Sequence, residues 1–363
     1  MRIVFLLPSA SGRPSGGFKM VYEYSNRLVE RGHEVSVVHP WDCQPAGSLA
    51  EAVRARIWAT RASRHGGAGL APWFELDPRV RMLAVAYPSP DAIPAADVTI
   101  ATAWHTAPLV AAAVAERGGG AYYVQGYETW DGEVERVRET WQLPLRKVVI
   151  SGWLEQIAAE LGEAERTTRV PLGMDLERLG IDRPPAERTP RLGSIWSSAP
   201  AKGCSDVIAA MGAVRERRPD VSAFFFGTAP RPQALPEWIE YEHLPTAVRL
   251  RELLNSCSIF LQASRSEGWG LPASEALLCG AALVTLDNGG SREFALDGET
   301  ALVLPPEEVG ELGDRALALL DDEELRLRLA AAGAERLRLF TWERSLSGFE
   351  AALAVAAAAG AAL

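Results

Sequence analysis

The sequence predicts an α/β protein made of two doubly wound, Rossmann-like domains, each built on a parallel sheet. Three observations predict it. Apolar, strand-like runs alternate with helical periodicity along most of the chain, the pattern of parallel strands joined by crossover helices. The alternation is interrupted by a polar, Pro-rich stretch at 182–190 (DRPPAERTP), which reads as an interdomain linker, and then restarts. The length, 363 residues, suits two domains of roughly 100–200 residues. On this reading residues 1–182 form the first domain and 183–344 the second. The C-terminal helix, about 345–363, returns to the first.

Residues 2–7 are a continuous apolar run, as expected of a strand covered on both faces. A Gly/Ser/Pro loop follows at 8–17. Residues 18–31 show helical spacing through Met20, Val21, Tyr24 and Leu28, and Gly32 stops the helix. The next strand, 34–38, completes a βαβ unit with a right-handed crossover. Further strands are expected at 80–85, 97–101, 121–124 and 148–151, with helices at 105–116, 133–142 and 153–161. After the Pro-rich stretch, strands are expected at 192–196, 222–226, 239–242, 259–262, 283–286 and 301–304. Helices fit 206–217, 248–256, 272–279 and 312–320, and the C-terminus is helical. Ligands of such sheets bind at the carboxyl ends of the strands, and a cleft between two such domains is the expected site.

Composition narrows the functional classes. Apolar residues make up 48% and charged residues 23%, as in an ordinary folded chain. The net charge of −10 argues against a general nucleic-acid binder, which needs a basic face. Residues 1–185 carry 20 basic and 22 acidic side chains, and residues 186–363 carry 17 and 25, so the acidity sits in the second half. Only three of the basic residues are lysines: Lys19, Lys147 and Lys202. Four cysteines without C-x-x-C spacing fit a reducing cytoplasm better than a disulfide scaffold. The first residues read as a strand rather than a signal peptide, and the Ala-rich tail 351–363 is too short to span a bilayer. The basic segment 51–64, with Trp58, suits either a solvated helix face or a peripheral contact with an acidic membrane surface.

Six segments could carry chemistry. The loop after the first strand ends in Gly16-Gly17, where the backbone can approach a ligand beside a helix start. It matches neither G-x-G-x-x-G nor a Walker A motif. The segment 264–275 (SRSEGWGLPASE) joins a strand to a helix with Pro272 near its first turn. Gly268, Trp269, Gly270 and Leu271 would present free N–H groups to phosphate oxygens, framed by the carboxylates of Glu267 and Glu275. Carboxylates beside a phosphate need hydroxyls to hold. A diphosphate flanked by two polyols fits, and a nucleotide sugar is such a ligand. Lys202 precedes another helix start, where a cation is unfavourable unless it has a negative partner, and a diphosphate would supply one. His105 lies at the end of a strand. The segment 123–131 interleaves aromatics with Gln125, Tyr127 and Glu128, which suits a sugar ring on the acceptor side. Asn288-Gly289-Gly290 follows a strand, and Glu293 beyond it is either a hydroxyl acceptor or an N-terminal acid. No metal-ligating cluster and no D-x-D loop is visible.

The pattern E-x7-E, Glu267 to Glu275, inside SEGWGLPASEA resembles the donor-site signature of retaining glycosyltransferases of family 4, which have the GT-B fold. Other pieces agree in order: Gly16-Gly17, RGHEV from Arg31, VPLGMD from Val170, Lys202-Gly203, Asn288-Gly-Gly, DGET from Asp297 and FTWE from Phe340. The resemblance implies transfer of a hexosyl group from a nucleotide-diphosphate sugar to a hydroxyl of a glycan, a lipid-linked or a small-molecule acceptor. The outcome would be retaining, with neither metal nor other cofactor. Glu275 would bind the ribose, Glu267 the donor sugar and Lys202 the diphosphate, helped by Gly16, Gly17 and the 268–271 backbone. His105 would lie near the reacting carbon. A diphosphate-binding Arg common in the family is replaced here by Ser197, for which Arg265 or Arg292 are candidate substitutes. Two other readings stay open: a sugar-nucleotide epimerase of the same fold, and a non-catalytic sugar-nucleotide-binding partner.

Overall fold

The computed structural model describes all residues except 11, 45, 65, 66, 68, 115–117, 131, 362 and 363. Contacts divide the chain into two units. One comprises Met1–Ile150, Leu154–Pro171 and Glu343–Leu363, the other Ser151–Trp153 and Leu172–Trp342.

The strands of the first unit are β1 (Arg2–Leu6), β2 (Glu34–Pro40), β3 (Arg81–Val85), β4 (Val98–Ala101), β5 (Gly119–Val124), β6 (Arg146–Val149) and β7 (Thr167–Arg169). All pair in parallel, in the order β3-β2-β1-β4-β5-β6-β7. The helices between them are α1 (Gly16–Glu30), α2 (Leu49–Arg64), α3 (Ala107–Val114), α4 (Val134–Trp141) and α5 (Gly152–Glu160). Strand order reverses between β1 and β4, so the loops after these two strands flank the switch point where ligands of such sheets bind. The apolar run of β1 is covered on both faces, as a central parallel strand requires.

The second sheet contains β8 (Arg191–Trp196), β9 (Ser222–Gly227), β10 (Ile239–His243), β11 (Ile259–Gln262), β12 (Ala282–Leu286) and β13 (Leu302–Leu304). It is also parallel, in the order β10-β9-β8-β11-β12-β13, with its switch point between β8 and β11. Its helices are α6 (Cys204–Arg217), α7 (Ala247–Ser256), α8 (Leu271–Leu278), α9 (Leu312–Asp321) and α10 (Glu323–Leu337). Leu192, Met211, Phe225, Leu261, Val284 and Leu319 are among the side chains of its core.

The last helix, α11 (Trp342–Ala361), joins the first unit from Glu343 onward. Phe349 stacks on Tyr24 at 4.2 Å between centroids and meets Tyr123 edge-on at 5.3 Å. The Tyr24 hydroxyl lies 2.6 Å from Ser345 Oγ, which donates to the Pro171 carbonyl at 2.7 Å.

Two expectations are corrected here, and one strand is added. The Pro-rich stretch 182–190 is packed into the second unit instead of linking two domains, because its Arg188 is buried. That guanidinium donates to the carbonyls of Cys257 at 2.8 Å and Cys279 at 2.6 Å. The helix expected at 105–116 begins at Ala107, because Thr106 Oγ1 accepts from the N–H groups of Thr102 and Ala103 and holds a turn there. His105 therefore sits in that turn, and Glu116 lies outside the described residues. β7 is only three residues, Thr-Thr-Arg, with no apolar run to reveal it. Ser11, Asp131 and Leu363, which fall in segments singled out above, also lie outside the described residues.

One buried group makes stability depend on pH. His39 on β2 donates from Nδ1 to the Val37 carbonyl at 3.1 Å, so its Nε2 accepts from the Tyr22 hydroxyl at 3.0 Å. Burial pushes its pKa down from 6.5 to about 4. The unfolded imidazole protonates near the upper value and the folded one only near the lower, so protons favour the unfolded chain between them. This contribution to stability is therefore complete above pH 6.5 and declines as pH falls toward 4, by about 3 kcal/mol in all. Thermal melts across that range should show the decline in the wild type and a flatter profile in His39→Gln. Identical pH slopes for the two proteins would refute it.

Candidate functional site

In the second unit the loops after β8 and β11 are pressed together at the switch point, and glycine makes this possible. Gly203, with φ of +61°, lies so close that an added Cβ would stand 2.3 Å from the Ala263 carbonyl oxygen. The Arg265 N–H donates to the Ala201 carbonyl at 2.8 Å. Lys202, the last residue of a 3-10 turn leading to α6, thereby reaches across to the β11 loop. Its ammonium donates to Glu267 Oε1 at 2.7 Å. The pair is partly buried, with 35% of the lysine side chain and 12% of the glutamate side chain exposed. The negative partner expected for Lys202 is thus present within the protein itself, as Glu267.

Glu267 is also fixed from the sheet side. Its N–H donates to the Asn288 carbonyl at 2.9 Å, and its own carbonyl accepts from Gly290 at 3.1 Å. Gly290 packs directly on the Gly268 backbone, where an added Cβ would come within 2.3 Å. Gln262, the last residue of β11, donates from Nε2 to Glu267 Oε1 at 3.3 Å. The Thr285 hydroxyl on β12 donates in turn to Gln262 Oε1 at 3.3 Å. Sequence reading missed Gln262 and Thr285. Gln262 ends an expected strand and Thr285 opens the segment 285–293 without a role of its own, and only the register that pairs them, Gln262 opposite Thr285, brings them into line.

Beyond Glu267 the chain passes through Gly268, Trp269 and Gly270 into α8. Gly270 is the N-cap, with φ of +98°, and no side chain caps the helix. Pro272 has no N–H and those of Ala273 and Ser274 donate to the Gly270 carbonyl at 3.1 Å, so the N–H groups this segment can offer an anion are those of the 268–271 backbone. The Trp269 ring is buried, 5.1 Å from Phe340 and 5.8 Å from Phe294 between centroids, so it anchors this loop. Only its backbone is placed to meet a ligand. Leu271 opens α8, and Glu275 is buried one turn further on. The two candidate substitutes for the missing cation at Ser197 are each held by an acid. Arg265 donates to Asp206 at 2.9 Å, and Arg292 grips Asp287 with two bonds of 2.7 Å. Salt bridging to Arg292 holds the Asp287 carboxyl below its usual range.

In the first unit the predicted residues gather at the other switch point. Gly16 and Gly17 open α1 after the β1 loop. A Cβ on Gly17 would stand 3.5 Å from the amide nitrogen of Gln125, at the end of β5. The Glu128 carboxylate accepts from the Trp104 N–H at 2.8 Å, tying the β5 loop to the β4 loop. The His105 ring lies 3.8 Å from that of Trp104 between centroids, tilted by 33°. The Tyr127 hydroxyl accepts from Arg138 at 3.1 Å. Among the described residues, no group of three or more His, Cys, Asp or Glu side chains is arranged to hold a metal ion.

Residues 183–336, which carry Lys202, Glu267 and Glu275, match the family model of glycosyl transferases group 1. The phosphatidyl-myo-inositol mannosyltransferase of Mycobacterium leprae is 25% identical over 218 residues, 53% of this chain and 58% of that protein. The chain spans about a quarter to three fifths of the length of the first curated relatives it matches. Among solved structures, sucrose-phosphate synthase from Thermosynechococcus elongatus superposes with a TM-score of 0.74 at 15% identity, covering 96% of this chain and 97% of that one. Anabaena HepE, solved in complex with UDP and glucose, gives 0.72 at 16% identity, covering 98% of this chain and all of that one. The two parallel sheets, each with its helices, are those of the GT-B glycosyltransferase fold.

Proposed function

We propose that the chain is a retaining, metal-independent glycosyltransferase. It moves a hexosyl group from a nucleotide-diphosphate sugar to a hydroxyl of a glycan, a lipid-linked or a small-molecule acceptor. One observation carries the reading: Lys202 and Glu267 meet at 2.7 Å beside the uncapped start of α8. A cation and backbone N–H groups support binding of a diphosphate, and a carboxylate alongside supports binding of sugar hydroxyls. The family match over residues 183–336 supports it, as does the UDP in HepE.

In this reading the second unit binds the donor and the first binds the acceptor. Glu275 takes the ribose. Lys202 and the 268–271 backbone stabilise the diphosphate as it leaves, supplying the positive potential from the protein's own groups. The anomeric carbon becomes oxocarbenium-like. The acceptor oxygen forms its bond on the face the diphosphate vacates, and its proton passes to the departing phosphate oxygen. Gly16, Gly17 and His105 stand on the reacting side, and Gln125, Tyr127 and Glu128 contact the acceptor.

The test has two stages. Thermal-shift screening of UDP, GDP, dTDP and ADP sugars identifies the donor, because the tightest binder raises stability most. NMR of the transfer product then reads its anomeric configuration, which should equal the donor's. An inverted product would remove the retaining assignment. Epimerised donor formed without acceptor, or tight binding with no transfer to any acceptor, would replace the transferase reading altogether.

A further inference from the structure

Helix α2 is the least buried of the long helices among the described residues. Of its sixteen residues only Ala55 is buried. At 3.6 residues per turn, the face opposite Ala55 is set by Leu49, Val53 and Ile57, which form one stripe along the helix. All three are open to solvent, at 82%, 48% and 46% exposure. Arg54 and Arg61 flank the stripe on one side, Arg56 lies on the other, and Arg64 closes its end; all four are exposed.

The helix carries four arginines and one acid. Its single acid, Glu51, belongs to the helix start, where its carboxylate accepts from the Gly47 N–H at 2.8 Å while Ser48 Oγ accepts from the Glu51 N–H at 3.2 Å. This is a variant of the capping box in which the acid bonds one residue before the cap. A chain of net charge −10 therefore presents one helix with four arginines and an apolar stripe between them. Beside it lies a recess of about 580 Å³, walled by Trp41, Ile57, Trp58 and Leu70 with Arg54 and Arg61 at its rim. The two indoles meet edge to face at 5.7 Å.

We propose that α2 is a docking helix that lies flat on an anionic lipid bilayer. Leu49, Val53 and Ile57 would enter the headgroup boundary, with the guanidiniums against lipid phosphates. An apolar stripe edged by arginines on both sides is the arrangement of an interfacial helix. Among the described residues no helix is long and apolar enough to cross a membrane, so the contact is peripheral. A second copy of the chain is a poorer occupant, because an isologous contact would set the same arginines against each other. The inference does not depend on the transfer reaction.

The full chain should be pelleted with vesicles of phosphatidylcholine alone and with vesicles in which about a third of the lipid is phosphatidylglycerol. It should pellet only with the second, and less so as salt is raised. Arg54→Gln and Arg56→Gln together should weaken vesicle binding by about fivefold per arginine. Leu49→Ser, Val53→Ser and Ile57→Ser together should release the chain at moderate salt. These side chains are exposed, so both variants should keep the wild-type circular dichroism and melting curve. Wild-type protein left in the supernatant with the anionic vesicles overturns the proposal, as does equal pelleting of both folded variants. A wild-type dimer that the apolar triple variant dissolves would assign the face to a second copy instead.

Discussion

On the proposed function, Lys202→Ala should lower the transfer rate by about 10²- to 10³-fold with any donor the protein accepts, the usual cost of losing a main stabiliser of developing negative charge. It should also weaken binding of the bare nucleoside diphosphate, by about 10- to 100-fold for a lost charge-assisted hydrogen bond. The effect should be large because this site has few cations to share the load. Ser197 stands where a second cation is usual in the family the sequence resembles, and its hydroxyl is used locally, accepting from the Ala199 N–H. Arg265 and Arg292 are committed to Asp206 and Asp287. Among the described residues the Lys202 ammonium pairs with Glu267, and a third of its side chain is exposed, so its removal should leave the fold intact. Steady-state kinetics and calorimetric titration of the nucleoside diphosphate check both parts. Wild-type turnover in this variant would dismiss the site assignment.

The sheets were legible because parallel strands covered on both faces must be continuous apolar runs, and residues 259–262 and 282–286 are fully buried as that rule requires. The motif loops were legible because their glycines answer backbone demands. Gly203 and Gly290 are positions where any Cβ would strike a neighbouring backbone. What could not be read was pairing. Lys202 was seen to need an anion, but that Glu267 supplies one depends on two loops 65 residues apart meeting at one switch point. The Gln262–Thr285 bond likewise follows from strand register, which no local pattern displays. The Pro-rich stretch at 182–190 misled because prolines mark irregular backbone without saying whether it is free or packed, and there the buried Arg188 decides.

Glu267→Gln should separate binding from turnover, and in opposite directions. The ammonium of Lys202 is paired with the Glu267 carboxylate at 2.7 Å. An arriving diphosphate must therefore draw Lys202 away from that carboxylate and also sit near a like charge. Replacing the carboxylate with an amide removes both costs. At about 4 Å such charge interactions are worth roughly 1–4 kcal/mol in partly solvated surroundings, so the bare nucleoside diphosphate should bind about tenfold tighter or more. Transfer should nevertheless fall, by about 10²-fold, because the donor sugar loses the ionised acceptor that orients its hydroxyls. Lys202→Ala weakens both quantities, whereas Glu267→Gln should strengthen one and weaken the other. A Glu267→Gln protein that binds the nucleoside diphosphate no better than wild type would mean that the Lys202–Glu267 pair does not oppose donor entry. Unchanged turnover in the same variant would remove Glu267 from the sugar site.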